Sequence, residues 1–72
     1  MKKQFALEEL DCANCAQKME DAIRKLNGVE DVQVNFLRQT LTLTAADDEF
    51  DRVLKATAKT IRKVEPDCRI KM

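Results

Sequence analysis

The chain has no histidine, no tryptophan and no tyrosine, and only one glycine and one proline. Without histidine, an imidazole cannot act as a general base or bind a metal. With three phenylalanines as the only aromatics, there is little to stack on nucleic-acid bases. Charge excess is missing too: thirteen basic residues balance thirteen acidic ones. A phosphate backbone therefore finds no basic surplus to bind, and nucleic acid is set aside as a partner. No run approaches the roughly 18 apolar residues of a membrane span. The opening "MKKQFALEEL" meets acidic residues before an apolar stretch develops, so it does not read as a signal peptide. One glycine and one proline also leave no room for a flexible linker or a low-complexity tract. At 72 residues, 44% hydrophobic, the chain makes a single small domain with one modest core.

What remains is three cysteines. An odd count argues against a complete disulfide framework and for a reducing, cytosolic setting. There, a close pair reads as metal-binding or catalytic. Cys12 and Cys15 are such a pair, with Asp11 directly before them in "LDCANC".

Hydrophobic spacing places this stretch. Lys3 to Glu9 alternates around Phe5 and Leu7, as a half-buried strand does. From Ala13 the apolar residues recur at threes and fours through Ala16, Met19, Ile23 and Leu26, one face of a helix. Asn27-Gly28 ends it. Val29, Val32, Val34 and Phe36 form a second strand. Leu37 to Gln39 is a short hairpin connection, and Leu41 and Leu43 mark a third strand. Asp47, Asp48 and Glu49 stand where a helix start favours negative charge. Phe50, Val53, Leu54, Thr57, Ala58, Ile61 and Val64 keep helical period until Pro66 forbids continuation. Cys68, Ile70 and Met72 alternate as a last strand. The chain stops inside it, as a piece of a longer protein would.

The order βαββαβ predicts an α+β, ferredoxin-like two-layer sandwich: a four-stranded antiparallel sheet with two helices on one face. The first and third strands are expected to lie parallel in the centre, with the fourth beside the first and the second beside the third. The last strand then starts where the first one ends. That makes residues 65 to 68 neighbours of the cysteine loop.

Thiols at a helix start are pushed toward the thiolate, the form that binds metal. Two thiolates are soft ligands and suit thiophilic cations. Two sulfurs suffice for Cu(I), whereas Zn(II) or Cd(II) seeks four donors. Asp11 can supply an oxygen, or can cap the helix. Glu65 and Asp67 are further oxygen candidates and Cys68 a further sulfur, although Cys68 alternates with core positions. Lys18 is a candidate for tuning the thiols, or a plain solvated residue. A dithiol redox couple is a competing reading.

"LEELDCANCAQKMEDAIRKLNGVEDVQVNFLRQTLTL" resembles the heavy-metal-associated domain. That family comprises single-domain metallochaperones and N-terminal extensions of heavy-metal-transporting P-type ATPases. The resemblance implies metal ligands at Cys12 and Cys15. Copper-handling members usually carry Met two residues before the first cysteine and Thr just before it, where this chain has Leu10 and Asp11. The Asp-Cys-x-x-Cys version resembles domains of the zinc-, cadmium- and lead-exporting ATPases, with Asp11 as a third ligand. The resemblance thus implies Zn(II) or Cd(II), with Pb(II) admissible and Cu(I) disfavoured. It implies a metal-binding domain, not an enzyme, whose partners are the metal ion and the rest of a parent membrane ATPase, with no membrane insertion by this segment. A free-standing metallochaperone is the alternative.

Overall fold

A computed structural model describes residues 1–10 and 12–71. The elements are β1 (Lys2–Glu8), α1 (Ala13–Arg24), β2 (Val29–Asn35), β3 (Thr40–Ala45), α2 (Phe50–Val64) and β4 (Arg69–Lys71). They form the expected two-layer sandwich. One sheet, ordered β2-β3-β1-β4, is covered on one face by both helices.

The neighbour relations are as expected, but one direction is not. β1 and β3 run antiparallel, with Phe5 opposite Leu41. Connectivity gives the reason. The tight β2–β3 hairpin forces those strands antiparallel, with Val32 opposite Leu43. The α1 crossover returns the chain so that β2 runs parallel to β1, and β3 lies between them. β4 is antiparallel to β1, pairing Ile70 with Leu7.

The ends of elements move by a residue or two. Glu9 has a positive φ of 60°, which stops β1 at Glu8. Helix α1 ends at Arg24, because the Leu26 N–H bonds the Ile23 carbonyl three residues back and closes a tighter turn. Gly28, at φ +98°, then turns the chain into β2. Likewise the Cys68 N–H bonds the Glu65 carbonyl, so Cys68 belongs to a turn and the ladder starts at Arg69. Met72 lies outside the described residues.

Alternation and helical period select the core. Leu7, Leu41, Leu43 and Ile70 from the sheet meet Met19, Ile23, Val53 and Ile61 from the helices. Phe5 and Phe50 bridge the layers with ring centroids 6.4 Å apart. Thr57, the buried polar side chain among them, donates to the Val53 carbonyl at 2.8 Å, which removes the penalty of an unmet hydroxyl. Cys68 is fully buried among these residues, as its alternation with Ile70 suggests. No described helix is long and apolar enough to cross a membrane.

Candidate metal centre

Three connections meet at one end of the sheet. The β1–α1 loop carries the cysteines, the α2–β4 turn carries Glu65, and the β2–β3 turn carries Gln39. β1 runs toward this end, and its antiparallel partners β3 and β4 begin there.

The β1–α1 loop leaves β1 through Glu9 and then buries Leu10, which is only 2% exposed. A buried leucine so close to the cysteines anchors the loop to the core. Asp11 lies outside the described residues, so neither its capping role nor its ligand role has a structural account. The N-cap position of α1 is Cys12, in extended backbone (φ −135°, ψ 125°). Its carbonyl accepts the first helical bond, from the Ala16 N–H at 3.0 Å. The Cys12 side chain itself makes no capping hydrogen bond. The helix start thus leaves N–H groups directed at whatever anion the Cys12 sulfur can offer.

The two thiols differ in consequence. The Cys15 backbone N–H, then a hydrogen bond from the Cys15 thiol, hold Cys12 below its ordinary thiol pKa. Cys15 moves the other way and is pushed up to about 11. Its hydrogen bond to Cys12 is the largest cause, followed by its hydrogen bond to Glu65. The expectation that the helix start promotes both thiolates therefore holds for Cys12 alone. Cys15 keeps its proton because that proton stabilises two neighbouring anions.

The Cys15 Sγ donates to Glu65 Oε2 at 3.4 Å. This hydrogen bond brings Glu65, from the segment before the last strand, to the thiols. Asp67 is exposed, and Cys68 sits in the core. Lys18 is exposed on α1. Among the described residues, no three Cys, Asp or Glu side chains are gathered around a common point ready to hold an ion. Two soft sulfurs, one of them already anionic in tendency, with a carboxylate alongside, nonetheless make a chemically coherent donor set for a thiophilic cation.

Sequence spacing offers no reason to link Gln39 to this loop. Its side-chain amide pairs with the backbone of Leu10, 29 residues away. Only the closure of β3 against β1 brings the two together.

The sequence matches the heavy-metal-associated domain over residues 4–66. It is 33% identical over 66 residues to the cadmium, zinc and cobalt-transporting ATPase of Bacillus subtilis (strain 168), covering 92% of this chain and 9% of that protein. It is 44% identical over 50 residues to the zinc/cadmium/lead-transporting P-type ATPase of Escherichia coli (strain K12), covering 69% of this chain and 7% of that one. The chain therefore spans less than a tenth of the length of either transporter. Among solved structures, the yeast copper transporter domain superposes with a TM-score of 0.75 at 17% identity, covering 99% of this chain and 94% of that one. At that identity the likeness speaks for the fold.

Proposed function

The chain belongs to the heavy-metal-associated domain family, and from that premise we propose that it binds and hands on a soft divalent cation, Zn(II), Cd(II) or Pb(II), as the cytosolic N-terminal part of a heavy-metal-transporting P-type ATPase. The observation that carries this reading is the Cys15–Glu65 contact beside an anion-favouring Cys12. It supplies an oxygen donor next to two sulfurs, the mixture that divalent ions of this class accept and that Cu(I) does not need. The names of the two bacterial transporters support the same choice.

In this reading the Cys12 thiolate takes the incoming ion first, since it is the thiol that loses its proton more easily. Cys15 follows once the ion's charge displaces its proton to solvent. Asp11 supplies an oxygen from the residue before Cys12, and Glu65 another from the α2–β4 turn. Thiols placed at a partly exposed loop-to-helix junction leave ligand positions open. A partner's donors can enter before Cys12 and Cys15 leave, which keeps the ion bound throughout transfer.

Competitive titration against a chromophoric chelator tests this. Zn(II) and Cd(II) binding should be lost in the Cys12→Ser/Cys15→Ser variant and weakened in Asp11→Ala. Retention of Cd(II) by the double variant at the same site would overturn the assignment. A Cu(I) reading has one observation in its favour: two sulfurs complete a linear site, and among the described residues no three ligand side chains are gathered around a common point, Glu65 meeting Cys15 alone through a hydrogen bond. It predicts a strong Cu(I) preference at matched free-ion levels and indifference to Asp11→Ala.

A further inference from the structure

Gln39 stands at the end of the β2–β3 turn with φ +54°. A β-carbon makes that backbone region unfavourable, and glycine would occupy it freely. Glu9 and Gln39 are the two non-glycine residues with positive φ among the described residues. They lie on opposite sides of one contact. The Gln39 Oε1 accepts the Leu10 N–H at 3.0 Å. The Gln39 Nε2 donates back to the Leu10 carbonyl and, at 3.1 Å, to the Phe36 carbonyl. The Gln39 carbonyl meanwhile accepts the Leu7 N–H at 2.7 Å.

A primary amide is the neutral side chain that presents an acceptor and a donor side by side, as a peptide does. Here one N–H faces the oxygen and two carbonyls face the nitrogen, so the amide orientation is fixed by its partners. The regular β1–β3 register ends at Ala6 and Thr40. Beyond it, Gln39 continues the pairing with its own carbonyl and then its side chain, and so reaches the loop peptide just before the Asp11-Cys12 step. A strained backbone kept where glycine would relax it points to work done by the side chain.

We infer that Gln39 is a positioning residue for the thiol loop. Its amide clasps the Leu10 main chain from the neighbouring turn and anchors the loop two residues before Cys12, so that Cys12 and Cys15 are presented to the ion together. The inference rests on the reading that these cysteines hold metal. Outer partners that orient ligands in this way are typically worth about 10- to 100-fold in metal affinity.

The test uses two variants that suit the positive φ but lack the clasp. Gln39→Gly relaxes the turn, and Gln39→Asn tolerates it with an amide one methylene too short to reach Leu10. Thermal unfolding of the reduced, metal-free protein should show both variants still folding cooperatively, at a somewhat lower midpoint because the Leu10 N–H and carbonyl lose their partner, with relief of the positive φ offsetting part of that loss in Gln39→Gly. Cd(II) competition titration, with the Cd–thiolate absorbance as a second readout, should show affinity about 10-fold or more weaker in both. Parental Cd(II) affinity in either variant would overturn the inference. So would metal-free unfolding of both, which would make the clasp purely structural. Failure of the parent protein itself to bind Cd(II) through its thiols would instead overturn the functional reading.

Discussion

The Cys15 Sγ and Glu65 Oε2 lie 3.4 Å apart, from residues separated by 50 positions in the chain. The contact exists because β4 begins beside the end of β1 and draws the α2–β4 turn against the cysteine loop. Glu65 raises the Cys15 pKa, so its carboxylate makes the metal-free thiol harder to deprotonate. In Glu65→Gln the Cys15 thiol should titrate lower, which alone would strengthen metal binding at neutral pH. We expect the opposite net result, Zn(II) and Cd(II) affinity about 10-fold weaker, because the oxygen donor proposed for the ion is lost. Competition titration beside a thiolate-absorbance pH titration separates the two effects. Affinity that rises with the falling pKa would show that Glu65 only holds the proton.

Opposite shifts at Cys12 and Cys15 give metal binding a definite pH course. An ion must displace a proton wherever a thiol is still protonated. Below the lowered Cys12 value both protons are displaced, and the logarithm of apparent Cd(II) affinity should climb with a slope of about two per pH unit. Above it, and up to about 11 where Cys15 titrates, the slope should fall to about one. The same asymmetry makes Cys12 the thiol alkylated first by iodoacetamide near neutral pH. Peptide mapping of a brief labelling reaction reads this directly, and equal labelling of both cysteines would contradict the assigned pair.

Gly28 is irreplaceable on two counts. Its φ of +98° disfavours any side chain, and a β-carbon there would lie 2.8 Å from the Val53 Cγ2. Gly28→Ala should cost about 2 kcal/mol in urea unfolding, the sum of backbone strain and overpacking. In a Val53→Ala background part of the clash disappears, so the two losses should be less than additive.

The outer edge of β2 is closed by two side chains of α1. Glu20 accepts the Val34 N–H at 3.1 Å, and Arg24 donates to the Val32 carbonyl at 2.9 Å while pairing with Glu20 at 3.1 Å. Together they occupy backbone groups that an edge strand would otherwise offer to another chain. Glu20→Ala/Arg24→Ala should lose about 1–2 kcal/mol of stability. It should also self-associate more than the parent with rising concentration in sedimentation velocity.

Much of this was legible in the residues themselves. Phe5 and Leu7, then Ala16, Met19 and Ile23, then Leu41 and Leu43 announce their elements because burial on one face imposes a period. Cys12 and Cys15 announce themselves by spacing. Strand direction was harder. The parallel expectation for β1 and β3 failed because apolar spacing says which face is buried and nothing about polarity along the chain. Glu65 could be placed near the loop from topology, but its preference over Asp67 depends on the turn geometry after α2. Gln39 was opaque for a stronger reason: its partner is a main-chain peptide, and a peptide leaves no mark in the sequence of side chains.

Cys68, sealed in the core, gives the protein a built-in gauge of its own opening. In the native state two of the three thiols, Cys12 and Cys15, are open to a reagent. The third becomes countable only when the sandwich comes apart, so its slow labelling reports how often the core opens. With the site thiols held by metal, that third signal would read the stabilisation a bound ion confers on the whole fold.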